Sequence, residues 1–540
     1  MDDQNADAQA SAQEATPIGS TKQASSAPRL LPRRKMIMGA GSGLAALAVG
    51  GLAGYEWPHK GGGAPSTTTT APSGPGAPFS PTSTQAASSI ESFVTRPDLL
   101  PPKVQLTTFA SSDGAAAYIF LSPRNYIAGA PGQAGLMILD RAGRLIWFMP
   151  ITAAPFDFNS QIYEGRPVLT WWQGELVTDY GQGVGKIASS SYDDQKTLRA
   201  GDGLLADLHE LQITEAGTAL ITAYGTVSAD TASAGGSPKG TVADSHVQEI
   251  DVATGKVLFD WASLDHIPLV ESYVNAPKSG VYDYFHVNSI AEMEDGNFLI
   301  SAKNTCALYK LDRSSGRVIW RMGGKRSDFR ILPEAEFYYQ HDARPHGPTS
   351  ISVMDNGYAP VRADPTRALV LKVDEGAKEV ALAHAYRHPA GFPSGSQGNV
   401  QLLPDGRVFV GWGNQPYFSE FAADGALLLD GQFPIGYHSY RAYCLDWTGA
   451  PTGLPAVAVR VNPAAGSVVY ASWNGATGVR RWTVLAGADP TSLTAIGSQP
   501  VTGFETSIAV NSSGPYFAVV AVGSDGKEMS RSQVTALFGA

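Results

Sequence analysis

The 540-residue sequence predicts an all-β protein: a six-bladed β-propeller, then a small C-terminal β-sandwich of the fibronectin type III kind, with an N-terminal signal or anchor helix ahead of both. Three observations predict it. The composition is rich in Gly (59), Pro (36) and aromatics (10 Trp, 21 Tyr, 20 Phe), and it has few long stretches of 3.6-residue apolar periodicity. Turn motifs recur at the spacing of four-stranded blades. After Trp447 the pattern changes to plain alternating strands.

Residues 1–32 are polar and rich in Ala, Ser and Gln, the composition of a disordered cytoplasmic tail. Arg33-Arg34-Lys35 and the apolar or small run from Met36 to Gly54 read as a twin-arginine-like export signal. No small-x-small cleavage site precedes Tyr55, so 33–54 is expected to stay as a transmembrane anchor. The basic N-terminal side places the rest of the chain outside the membrane. Residues 55–90 form a linker, whose 61–88 stretch is Gly, Pro, Ser and Thr rich and cannot bury a core.

The propeller domain is expected over 91–447. One set of turns pairs an acidic residue or Asn with Gly: Asp113-Gly114, Glu164-Gly165, Glu215-Ala216-Gly217, Asp295-Gly296, Asn356-Gly357 and Asp405-Gly406. A second set, an apolar-Asp step before Gly and another apolar run, falls at Asp140, Asp179, Asp251, Asp312, Asp374 and Asp424. The two alternate strictly, and the later Asp positions (251, 312, 374, 424) are separated by 61, 62 and 50 residues. Residues 451–540 carry no histidine and form the sandwich, with Trp473 and Trp482 as core.

A net charge of -10 and the lack of a basic block beyond 33–35 exclude a nucleic-acid surface, leaving small molecules as partners. There is no GxxxxGK[ST] loop and no GxSxG elbow, and neither cysteine opens a CxPxR stretch. Cys306 and Cys444 form either one bridge or two buried thiols.

Inner strands of a propeller converge on a central channel, and the residues just before them meet at one mouth. Counted back from the turn glycines, His209 lies 8 residues before Gly217, His286 10 before Gly296 and His346 11 before Gly357. His341, Asp342 and Arg344 stand beside His346, and GYHSYRAY adds His438 and Arg441. Such imidazoles with Lys303, Arg344 and Arg441 suit a compact oxyanion. A metal is the other use of a His ring, but among these histidines no HxH or HxxxH pair comes from one strand, and no metal is expected.

The segments DLHEL, FHVNSI, LISAKNTCALYKLDRSSGRVIWRMGG and QHDAR resemble the arylsulfotransferase family of exported six-bladed propellers. The resemblance runs over roughly 100–447. It implies transfer of a sulfuryl group from an aryl sulfate to a phenol through a sulfated histidine, with no cofactor. It implies His341 as the nucleophile, and His209, His286 and Asn288 as groups holding the sulfate oxygens. Where the family usually has Arg, this sequence has Lys303, a point charge in place of a two-pronged donor. Arg344, His346 and Arg441 complete the expected substrate contacts. The alternative is a cell-surface propeller that binds a ligand and does no chemistry. A quinone-dependent propeller is disfavoured, since Trp does not recur at one offset per blade.

Overall fold

The computed structural model describes residues 89–110, 118–127, 129–193, 195–357, 364–462, 466–512 and 514–537. The expected tail, anchor and linker up to residue 88, and the Asp113-Gly114 turn, lie outside them. Among the described residues the chain is all-β, with four three-residue 3-10 turns. No helix among them is long and apolar enough to cross a membrane.

From Tyr118 onward the chain lays down antiparallel meanders in sequence order. The two sets of turns have separate structural jobs. Glu164 and Gly165 (φ 50° and 72°) form the two-residue turn between strands Ala154–Tyr163 and Arg166–Val177, as a tight hairpin with positive φ requires. Asp295-Gly296 lies in the longer turn, 293–297, that joins Val287–Glu292 to Phe298–Ala302, with Gly296 at φ 78°. The second set, Asp179 apart, caps outer hairpins through the aspartate side chain: Asp251 Oδ1 accepts from the Thr254 N–H at 2.7 Å, and Asp312 Oδ1 accepts from the Ser314 and Ser315 N–H groups at 3.1 and 2.8 Å.

Strands 287–323 and 341–386 each form a sheet, the latter with Arg330–Ile331 added at its edge. Strands 154–198 and 205–262 are two four-stranded meanders joined by a single pairing, Gly183 with Ala206, and Val281–Asp283 added beside Thr241–Ala243 completes one nine-stranded sheet. Two sheets need both chain ends. Gln105–Thr108 pairs with Leu427–Gln432 at the edge of the sheet formed by 399–432. Tyr437–Leu445 supplies the inner strand for the sheet of Tyr118–Asn125, Gly135–Leu139 and Leu145–Pro150.

Apolar clusters lie between successive sheets. Trp261, Tyr284, Phe285 and Tyr309 fill one, Trp320, Phe329 and Phe337 the next, and Trp147, Phe158 and Trp171 join the closing sheet to strands 154–198. The inner strands also touch in a closed round, from Ala154–Tyr163 through to Tyr437–Leu445 and back. The arrangement is β-propeller-like.

Beyond Leu445, strands Ala456–Asn462, Gly466–Ser472 and Glu505–Val510 form one sheet, and a second is built on Arg481–Gly487 and Tyr516–Val522. Trp482, Val484, Phe517 and Val519 are buried in one core there, and Trp473 packs against it. Asn474 bonds both ways to the Phe148 backbone, at 3.0 and 2.9 Å, and the Thr95 N–H donates to Glu505 at 2.6 Å. Both sequence alternatives for the cysteines are resolved: Cys306 and Cys444 are free and buried.

Candidate active site

The register between inner and second strands breaks on five inner strands. The breaks span Phe156 to Asn159, the stretch facing Ile221 to Ala223, Val287 to Ser289, His341 to Arg344, and the stretch facing Leu121 to Pro123. Within them lie Asp157, His209 and Glu210, Asn288, Asp342 and Arg441. A bulge re-aims side chains that regular pleating would send into the sheet interfaces. His286, Tyr339 and Asp342 hold φ at 59°, 54° and 54°, a region non-glycine residues avoid at a cost of about 1–3 kcal/mol each.

Three histidines meet there. The His209 and His286 ring centroids are 4.8 Å apart, and those of His341 lie 6.4 and 6.2 Å from them. One ring nitrogen from each lies within 4.8 Å of the others. All three are buried, with 3%, 2% and 1% exposure, so their interactions act in a dry, low-dielectric place.

Each imidazole has its Nδ1 engaged. His209 Nδ1 is 2.6 Å from Asp207 Oδ2, and that carboxylate also accepts from the Gly181 N–H and the Thr222 hydroxyl. His286 Nδ1 is 2.5 Å from Asp283 Oδ2. His341 Nδ1 is 2.8 Å from Asn356 Oδ1 and 3.1 Å from the Tyr339 carbonyl. Both of those partners are acceptors, so Nδ1 of His341 carries the proton and Nε2 carries the lone pair. Nε2 is buried and has no hydrogen-bond partner.

Charge follows burial. Desolvation first, then the charges of Lys303, His286 and His209, holds His341 well below the usual histidine range, so it is neutral at pH 7. His286 is lowered in the same way, by burial and then Lys303. The two carboxylates diverge. Asp207 is lowered despite burial, because His209, Gly181 and Thr222 stabilise its ionised form, whereas burial pushes Asp283 up to about 7.

Asn288 lies alongside, one amide N–H donating to the Gln340 carbonyl at 2.8 Å and its Oδ1 unpartnered. Lys303 donates its backbone N–H to the His286 carbonyl (2.9 Å), and its ammonium is 6.0 Å from the Tyr339 ring centroid.

The remaining expected residues stand elsewhere. Arg441 is buried against Asp157 (2.7 Å) and Glu210 (3.2 Å) and donates to the Asn288 carbonyl. Arg344 pairs with Glu210 at 2.6 Å and Asp342 at 2.7 Å. Both guanidiniums are committed to carboxylates, so the expectation that they hold an anion is corrected. His346 bonds Ser352 at 2.9 Å and lines, with Glu210, Gln212 and Arg344, a separate cavity of about 310 Å³. His438 lies 3.1 Å from Arg124. Of the two groups the sequence offers for orienting His341, Asp342 or a backbone carbonyl, the Tyr339 carbonyl meets Nδ1, while Asp342 accepts from Arg344 and the Val400 N–H.

Sequence reasoning missed Asp207, Asp283 and Asn356. The first two had a visible signal, an acidic residue two or three places before each histidine. Asn356 was read only as a turn residue.

Comparison with known proteins places these features in context. No curated protein matches the chain. Similar solved structures include a protein of unknown function from Bacteroides caccae (10% identity, 62% of this chain and 100% of that one, TM-score 0.37). A protein from Lactobacillus plantarum is similar at 12% identity over 73% and 99% of the two chains, with a TM-score of 0.33. A streptogramin B lyase is similar at 9% identity over 68% and 94%, with a TM-score of 0.31. Likenesses this loose carry no argument about activity. The family model described as Arylsulfotransferase (ASST) matches residues 159–434, a span that contains His209, His286 and His341 and their Nδ1 partners. Matched over just over half of its 540 residues, the chain belongs to the arylsulfotransferase family.

Proposed function

We propose that this protein is a nucleotide-independent sulfotransferase that moves a sulfuryl group from an aryl sulfate to a phenol through sulfohistidine at His341. Family membership supports a sulfotransferase acting on small molecules. The observation that carries the finer reading is the state of His341: neutral, protonated on Nδ1, with a buried and unpartnered Nε2 beside His209 and His286.

In the first half-reaction the Nε2 lone pair forms a bond to sulfur, the sulfur–oxygen bond to the aryl group breaks, and the phenolate leaves with that electron pair. In the second, the acceptor phenol's oxygen bonds to sulfur, its proton passes to solvent and balances the phenolate released in the first step, and the sulfur–nitrogen pair returns to Nε2. Splitting the transfer lets each step use a better-placed nucleophile. Lys303 and the second amide N–H of Asn288 stabilise charge on the sulfuryl oxygens, with His209 and His286 lining the same place. The dryness of the site protects the intermediate from hydrolysis.

The architecture belongs to the same proposal. Counting the nine-stranded sheet as two, the meanders between Gln105 and Leu445 make six blades, and the sheets after Ala456 make the sandwich. Residues 33–54 export the body and hold it at the membrane. Incubating full-length protein with a chromogenic aryl sulfate tests the function: phenolate release beyond one per chain must depend on an added phenol, and all release must vanish in His341→Ala. Release that survives this substitution contradicts the proposal.

A further inference from the structure

We propose that His209, His286 and His341 also form a binding site for a borderline divalent cation of the Zn²⁺ or Co²⁺ type, which competes with the sulfate donor. The competitive part rests on the sulfuryl-transfer reading; the binding part stands without it.

The donor set is the first ground. Three imidazoles, His209 and His341 on inner strands and His286 directly before the inner strand Val287–Glu292, bring one ring nitrogen each to within 4.8 Å of the others. A metal–imidazole bond of 2.0–2.1 Å in tetrahedral geometry puts donors about 3.3 Å apart, so the widest pair has to close by about 1.5 Å. Imidazole nitrogen suits zinc, copper, nickel and cobalt, and three histidines leave a fourth position open.

The surroundings are the second ground. Metal-binding histidines characteristically hold their other ring nitrogen against a carboxylate or carbonyl oxygen, which fixes the ring and the tautomer. Here every Nδ1 has such a partner: Asp207 for His209, Asp283 for His286, and Asn356 with the Tyr339 carbonyl for His341. Nε2 is therefore the atom each ring presents. On His341 it is buried without a partner. Asp207, held in its ionised form, also supplies negative charge behind the rings, which a divalent ion offsets and an anion does not.

The third ground is chemical identity between the two uses. The lone pair that attacks sulfur is the lone pair that binds a metal. A neutral histidine with a locked tautomer serves either, so cation and donor exclude one another.

The test uses the full chain, stripped with a chelator and titrated with Co²⁺, whose four-coordinate complexes absorb in the visible. The expected result is one Co²⁺ per chain with that absorption, displaced by Zn²⁺, and lost in both His286→Ala and His341→Ala but kept in His384→Ala. Asp283→Asn weakens Co²⁺ binding by about 10–100-fold. In the transfer assay Zn²⁺ raises the apparent KM for the donor, and chelator reverses it. Absent Co²⁺ absorption, or absorption unchanged by His341→Ala, overturns the site; faster transfer with Zn²⁺ overturns the competition. A sulfuryl adduct on His341 without Co²⁺ binding sinks only the cation site, whereas Co²⁺ binding without an adduct sinks only the transfer reading.

Discussion

Asn356 Oδ1 accepts the Nδ1 proton of His341 at 2.8 Å, while the Asn356 amide donates to the carbonyls of Ser394 and Gln397 at 2.9 and 3.1 Å. Those two carbonyls fix which end of the amide faces the ring. The acceptor end is left for His341, and the imidazole has one tautomer open to it.

Asn356→Ala is therefore expected to lower kcat on the order of 10²-fold while leaving the donor KM nearly unchanged, because the lone pair is no longer held on Nε2. Steady-state kinetics with a chromogenic aryl sulfate check this. A raised KM with normal kcat places Asn356 in binding instead.

Lys303 is the cation beside His286 and His341. Lys303→Met is expected to slow transfer on the order of 10²-fold, as the loss of one oxyanion-site donor does. Lys303→Arg is expected to keep most activity and lower the donor KM, since a guanidinium offers two parallel donors to sulfate oxygens. Equal rates in the two variants remove Lys303 from the site.

Arg441 is expected to be structural. It neutralises Asp157 and Glu210 in the buried centre, so Arg441→Met strands those carboxylates and costs about 3–5 kcal/mol. Denaturant unfolding measures the loss. A stable variant with a raised donor KM returns Arg441 to anion binding.

His246 supplies a pH signature outside the site. Burial alone would lower it, but its hydrogen bond with Asp260 and the charges of Asp260, Asp244 and Asp265 outweigh that and raise it. A raised folded-state pKa means the stabilisation is complete below about 6.5, the unfolded value, and is lost as pH rises through the folded value. The urea midpoint of wild type is expected to fall across that window relative to His246→Gln. Parallel pH curves for the two proteins contradict it.

Both cysteines are expected to resist thiol reagents in the native state. Burial pushes Cys306 up to about 12 and Cys444 up to about 11, leaving almost no thiolate at neutral pH. Two thiols per chain react in denaturant without reductant; fewer than two indicates a bridge.

What was legible in the sequence was local. The alternating Gly and Asp turns are set by residues within four positions of one another, and they mark inner and outer hairpins except at Asp179 and Asn356-Gly357, which fall in the middle connections of their sheets. His209 and His286 shared a register with those turns, so their meeting could be inferred, but His346, counted in the same register, bonds Ser352 elsewhere and His341 takes the third place. What pairs across the molecule could not. Asp157 lies 284 residues from Arg441, and nothing in the linear order shows that this carboxylate, with Glu210, occupies the arginine. The same blindness hid the metal-like spacing of the histidines, since their nitrogens come from three separate segments and no single strand carries a ligand pair. The bulges that turn Asp342 away from His341 and onto Arg344 have no sequence marker either.

The most direct test of the account is to incubate the protein with an aryl sulfate alone, quench it, and map the sulfuryl group by peptide mass spectrometry under conditions that preserve a sulfur–nitrogen bond. The account predicts one adduct per chain on His341, discharged by adding a phenol and absent in His341→Ala. An adduct on any other residue, or full transfer by His341→Ala, contradicts it.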